Sequence, residues 1–304
     1  MSKYDNEILC CILRYMRRKS LFNGVCTALV TPFRWGEIDW RAFGRLIENQ
    51  IKAGVGALLV LGTTGEGSTI SESEREAIVK FAVEMVSGRV PLIVGIGGNN
   101  PATIVRYGYS AKIAGADAVM ITSPYYNKAT QDGMVRHFTE IAKTLRMPIV
   151  VYNIPGRAGI NIEPATLGRI AQIRWVVGIK ESCGSIAQIQ EVIRQIADTK
   201  VPVYCGDDTL ALPCYSVGCA GVVSVAANAK PREVIHIWRL FKQRKIKSAR
   251  DAYLKNLPFF NALFCEVNPI PIKWLLSKQG VCTAEVRLPL TELSDKYKTL
   301  VEEA

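Results

Sequence analysis

Histidine is nearly missing from this chain, with only His137 and His236 among 304 residues. Zinc sites draw on several histidine or paired cysteine ligands, and a Ser-His-Asp hydrolase needs one well-placed imidazole, so neither class fits. The nine cysteines form no CxxC pair and are odd in number. Cys26, Cys205 and Cys219 sit in apolar stretches, which reads as structural filler in a reducing cytosol rather than a disulfide framework. No apolar run reaches the roughly 18 residues that cross a bilayer. No GxGxxG follows the first predicted strand, and no Lys-Ser/Thr closes the glycine-rich run at 62–67, so the common nucleotide signatures are absent there. Motifs for nucleic acid are missing too. The formal net charge of +11 is spread along the chain, and it suits a basic surface or a field that steers small anions.

The composition, 49% apolar and 21% charged, is ample for one large α/β domain with or without a small appendage. Residues 1–20 stand apart. An apolar stretch at 8–13 is followed, not preceded, by Arg14, Arg17, Arg18 and Lys19, and no small-residue cleavage site comes after it. That order is wrong for a secretory signal. The segment is read as an N-terminal extension, either upstream of a start at Met16 or a short helix on the main domain, and a cytoplasmic location is expected.

From Phe22 onward one theme recurs eight times: a β-branched run, a polar turn, then a helical period. Strands are predicted over 25–31, 57–61, 92–96, 118–122, 149–153, 176–181, 203–206 and 222–225. Helices are predicted over 40–53, 72–86, 102–114, 132–145, 186–197 and 232–241. Ser71 with Glu74 forms a capping-box signature, and glycines at 54–56 and 115 mark helix ends. Eight such units predict an α/β fold of the (β/α)8 TIM-barrel type over 21–243. Beyond it, 246–279 and 292–303 read as helices, giving a C-terminal helical appendage over 244–304.

Such barrels carry their chemistry at the C-terminal ends of the strands. Lys180 lies near the end of the apolar strand Val176-Val177-Gly178-Ile179-Lys180-Glu181. Apolar walls disfavour an ammonium, so a neutral, nucleophilic amine becomes accessible there. The alternative is a Lys180–Glu181 ion pair, which strand alternation opposes. Tyr152 ends the neighbouring strand and can shuttle protons, or serve as a core tyrosine. Arg157 just beyond it is placed to clamp a carboxylate, or is a solvated loop residue. The run Gly62-Thr63-Thr64-Gly65-Glu66-Gly67 lets backbone N–H groups approach an anion, and Tyr125 and Tyr126 add two phenols at the same rim.

These runs, with Gly206-Asp207-Asp208, Gly221-Val222-Val223-Ser224-Val225 and Asn268-Pro269-Ile270-Pro271-Ile272-Lys273, resemble the dihydrodipicolinate synthase and N-acetylneuraminate lyase family in order and spacing over about 22–300. The resemblance implies a Schiff base between Lys180 and pyruvate. It implies a proton relay from Tyr152 through Thr63 to Tyr126 of a neighbouring subunit. The amides of Thr63 and Thr64 would hold the pyruvate carboxylate, and the carbonyl of Val223 would border the pocket. The enamine would then attack L-aspartate-4-semialdehyde to give 4-hydroxy-tetrahydrodipicolinate, in the diaminopimelate and lysine pathway, with no metal or organic cofactor. Arg157 favours that acceptor, while Ala158 departs from the Thr that many synthases of the family carry there. A homotetramer of two tight dimers is implied as well.

The effector site of lysine-inhibited members would map to Tyr125, Asn99, Thr103 and Glu72. Thr103 stands where a carboxylate is needed and Glu72 where a histidine is common, so weak or absent inhibition by lysine is expected. Two other readings remain open: another pyruvate aldolase, acting on 2-keto-3-deoxy sugar acids or N-acetylneuraminate, and a non-catalytic barrel that binds ligands.

Overall fold

The apolar runs become strands that meet water on neither face. They are β1 (Gly24–Ala28), β2 (Ala57–Val60), β3 (Leu92–Gly95), β4 (Ala118–Thr122), β5 (Ile149–Asn153), β6 (Val176–Glu181), β7 (Val203–Cys205) and β8 (Gly221–Ser224). All of their residues are buried except Thr122, which is half-buried. Burial on both faces is the mark of a parallel sheet covered by helices, and here the sheet closes on itself. Each strand pairs with its sequence neighbours, and β1 pairs in parallel with both β2 and β8. The computed structural model describes residues 21–304, so the extension at 1–20 lies outside the described residues.

Around the barrel run α1 (Trp40–Ala53), α2 (Glu72–Val86), α3 (Pro101–Ala114), α4 (Gln131–Leu145), α5 (Pro155–Ala158), α6 (Pro164–Ala171), α7 (Ile186–Gln195), α8 (Ala211–Ser216) and α9 (Pro231–Lys242). The capping box at Ser71 and Glu74 forms in full, and Gly54 and Gly115 adopt the left-handed conformation that ends α1 and α3. Three helices were not singled out by periodicity: α5, α6 and α8 span only four, eight and six residues. Helices that short give too few turns for an apolar stripe to repeat.

The barrel interior is packed with side chains. Near the N-terminal end Phe22 stacks on Tyr204 with ring centroids 4.0 Å apart, and the Tyr204 hydroxyl donates to the Phe22 carbonyl at 2.9 Å. The opposite end is left for the site.

The C-terminal region departs from expectation. Instead of one helix over 246–279, the chain forms α10 (Ile246–Ala262) and α11 (Ile270–Lys278), followed by α12 (Asp295–Glu303). A cis Asn268–Pro269 bond lies between the first two, and Pro269 precedes Ile270 and Pro271 at the start of α11. Proline suits a first helical turn and costs a hydrogen bond inside a helix; α10 accommodates one at Pro258, whereas Pro269 and Pro271 lie two positions apart and open a new helix. The break lets the appendage reach the barrel mouth.

There Lys273 Nζ meets Glu66 Oε1 at 2.6 Å, with side chains 0% and 2% exposed. The other Glu66 oxygen accepts the Arg287 amide at 2.9 Å, and Arg287 itself pairs with Glu74 at 2.5 Å. Removing one partner of a buried ion pair leaves an uncompensated charge. Lys273→Met is therefore expected to cost about 3–5 kcal/mol in urea denaturation. Pairing it with Glu66→Gln should recover much of the loss, and an equally unstable double variant would contradict that expectation.

Candidate active site

The pairing of β5 with β6 is uneven. Ile149 lies opposite Val176, but Val150 lies opposite Gly178, so Val177 is an extra residue. Beyond this bulge Tyr152 is opposite Lys180, and Asn153 is opposite Glu181. Directly paired residues on parallel strands point to the same face. Lys180 and Tyr152 therefore share the barrel interior, whereas Asn153 and Glu181 face the helices. The Lys180 amine sits 3.9 Å from the centroid of the Tyr152 ring, and the two residues are 6% and 3% exposed.

Space for the lysine comes from missing side chains. A Cβ on Gly206 would meet the Ser182 hydroxyl at 1.8 Å and Lys180 Cε at 2.8 Å. A Cβ on Gly178 would meet the Tyr204 ring at 2.9 Å. Nearby, burial pushes the Cys26 thiol up to about 12 against the opposing pull of the Lys180 charge. The thiol thus stays neutral beside the Lys180 amine.

The barrel opens into a cavity of 390 Å³ whose lining includes Thr63, Met120, Tyr125, Arg157 and Asn268. In the loop after β2, the amides of Gly65, Glu66 and Gly67 donate to carbonyls of the loop itself. The amides of Thr63 and Thr64 make no hydrogen bond among the described residues. Two free N–H groups side by side suit a carboxylate. Asn268 braces both sides of the cavity: its Nδ2 donates to Thr64 Oγ1 at 3.0 Å, and its carbonyl accepts from an Arg157 Nη at 3.1 Å. Arg157 forms no ion pair among the described residues, so its charge is available to an anion in the cavity.

Arg75 pins the loop from behind, donating to the carbonyls of Gly67 at 2.7 Å and Gly95 at 2.9 Å while lying over the Tyr107 ring. Val223 is buried in the interior with Tyr152. Its neighbours are held by Asp208, which accepts from the Ser224 hydroxyl at 2.5 Å and from the amides of Val225 and Ala226.

Tyr126 is placed differently. It is 90% exposed with a φ of 65°, and it projects from the rim rather than into this chain's own cavity. Tyr125 lines the cavity, and its amide donates to Asn99 Oδ1 at 3.2 Å. Glu72 is occupied by Arg106 at 2.5 Å and by the Tyr107 hydroxyl, and Thr103 is half-buried on α3. The structure thus brings Lys180 against Tyr152 and sets Thr63, Thr64 and Arg157 around one opening.

Sequence reasoning passed over Asn268, Arg75 and the pair Asn153–Glu181 as site residues. The last pair carried a signal: a carboxylate at the end of a wholly buried strand must find buried donors.

A family profile described as the Dihydrodipicolinate synthetase family matches residues 21–304. The chain is 42% identical over 284 residues to the 4-hydroxy-tetrahydrodipicolinate synthase of Alkaliphilus oremlandii, covering 93% of this chain and 98% of that protein. Its fold superposes with a TM-score of 0.92 and 38% identity on a structure described as the first monomeric dihydrodipicolinate synthase variant, covering 93% and 95% of the two chains. A chloride-inhibited dihydrodipicolinate synthase from Acinetobacter baumannii, solved with pyruvate, matches with a TM-score of 0.90 and 35% identity over 92% and 97%. A closed barrel with a buried lysine against a tyrosine, matched over nearly its whole length, belongs to the dihydrodipicolinate synthetase family.

Proposed function

We propose that this chain condenses pyruvate with L-aspartate-4-semialdehyde through a Schiff base on Lys180, giving 4-hydroxy-tetrahydrodipicolinate. The observation that carries the reading is the buried contact between the Lys180 amine and the Tyr152 ring, with two free amides and an arginine that has no ion pair among the described residues at the opening.

The Lys180 amine adds to the pyruvate ketone, and loss of water leaves an imine. Tyr152 supplies and removes the protons of that dehydration. Thr63 and Thr64 hold the pyruvate carboxylate through their amides, and Val223 borders the bound substrate. The protonated imine draws electrons from the adjacent carbon, so a methyl proton is lost and an enamine forms; the lysine takes the part a metal or organic cofactor would otherwise play. The enamine carbon attacks the aldehyde while Arg157 holds the carboxylate of the acceptor. The acceptor amine then displaces Lys180 from the imine carbon, closing the ring and restoring the free lysine.

In this reading Tyr126 completes the proton relay in a neighbouring copy, and the working unit is a homotetramer built from two tight dimers. Its exposure on the rim is what supports that placement. We take the enzyme to be cytoplasmic; among the described residues no helix is long and apolar enough to cross a membrane. The ammonium of a lysine effector would find Glu72 engaged by Arg106, an uncharged Thr103, and the buried Arg75 cation in the cavity wall. Feedback by lysine is therefore weak or absent.

Kinetics, trapping and sedimentation test this. Turnover of pyruvate with the semialdehyde, coupled to an NADPH-consuming reductase, should be robust in the wild type and fall to background in Lys180→Ala. Trapping of pyruvate on Lys180 without such turnover would indicate another aldehyde acceptor, and no trapping would defeat the Schiff base. Arg157→Ala removes a charge-assisted hydrogen bond of about 1.5–3 kcal/mol, so the KM for the semialdehyde should rise about 10- to 100-fold while that for pyruvate moves little. Lysine titration should leave activity intact through the millimolar range, and half-inhibition well below millimolar would contradict the effector-site reading. Sedimentation alongside activity reports the assembly, since a fully active monomer is incompatible with a relay through Tyr126.

A further inference from the structure

The register that sets Lys180 against Tyr152 depends on one extra residue. Were β5 and β6 paired evenly from Ile149 and Val176, Tyr152 would lie opposite Ile179. A slip of one residue exchanges the faces of a strand, so Lys180 would point toward the helices. The bulge at Val177 prevents this by turning two consecutive residues, Val177 and Gly178, toward the interior. Val177 belongs to the inner apolar cluster, and a Cβ on Gly178 would meet Tyr204 and Val150 of that same cluster. Gly178 is thus the residue that makes the bulge possible. A bulge left to itself also weakens the local ladder.

The restraint lies at the strand ends, on the outer face. Asn153 Nδ2 is 3.0 Å from both carboxylate oxygens of Glu181. Glu181 also accepts the Cys183 amide at 2.9 Å and faces Gln188 Nε2 of α7 at 3.4 Å. Asn153 Oδ1 in turn accepts the Ile162 amide at 3.0 Å. Both residues are wholly buried, and Glu181 forms no ion pair among the described residues. Burial pushes its carboxyl up, while the donors from Asn153, Cys183 and Gln188 pull the other way. A buried polar pair of this kind is weak as a source of stability against a well-packed apolar pair, and its best-attested use is to specify register.

We propose that Asn153 and Glu181 are positioning residues that lock the bulged register of β5 and β6 and so hold the Lys180 amine against Tyr152. The proposal rests on Lys180 and Tyr152 being the reacting pair.

The test is borohydride trapping of pyruvate on the full-length enzyme, run beside steady-state kinetics. Glu181→Gln keeps the size but sets an amide nitrogen against the nitrogens of Asn153 and Gln188. Its kcat and its trapping rate are expected to fall together by at least roughly tenfold, with the pyruvate KM changing less than about threefold. If Glu181→Gln is insoluble, Glu181→Asp, which keeps the charge but shortens the reach, should show the same split between kcat and KM. Unchanged kcat and trapping in a folded Glu181 variant would overturn the clamp and leave the Lys180 assignment standing. A wild-type enzyme that pyruvate and borohydride fail to label would remove that assignment, and the clamp with it.

Discussion

A lysine amine enclosed by a closed ring of eight strands is the constraint around which this molecule is arranged. An ammonium in such a place has lost water and must be accommodated by what the walls present. Here the walls present the face of Tyr152 and the neutral Cys26 thiol, and no carboxylate among the described residues pairs with the lysine. The same requirement accounts for residues that carry no chemistry of their own. Gly206 leaves room beside the lysine stem, Gly178 leaves room for Tyr204 at the bulge, and Phe22 caps the interior from the N-terminal side.

The appendage is part of the site rather than an addition to it. The Lys273–Glu66 contact joins its helices to the loop after β2. From the same segment Asn268 reaches Thr64 on one side and Arg157 on the other. The groups that meet the two substrate carboxylates in the proposed reaction are thereby tied to one another through a single asparagine. Rigid support of this kind matters because an ångström of misplacement at a reacting centre is felt in the rate. Arg75 plays a parallel part on the far side of the loop.

Much of the fold was legible because barrel strands are short apolar runs separated by helices with capped ends. The strand intervals 118–122, 149–153 and 176–181 agree with the structure at both ends, as do the helices at 40–53 and 72–86. In each case a polar turn or cap makes the boundary visible. The short helices α5, α6 and α8 were missed because too few turns repeat, and the C-terminal break was passed over although Pro269 and Pro271 stand at the start of the second helix. At the site, Lys180, Tyr152 and Arg157 were conspicuous as polar groups where an apolar strand ends. Asn268 was not, because its partners Thr64 and Arg157 lie more than 100 positions away in sequence.

By itself the sequence determined that the chain would form alternating strands and helices and that one strand would carry a buried lysine. Those are consequences of local composition and period, which need no knowledge of what lies opposite. Only the tertiary structure decided which residue faces that lysine, because the bulge at Val177 shifts the pairing of β5 and β6 by one position. It also decided that Glu181 would turn to Asn153 rather than to Lys180, and that Tyr126 would stand outside its own cavity. Register, closure and the reach of a distant segment are set by contacts between elements, and a linear pattern of residue types does not encode the distance between them.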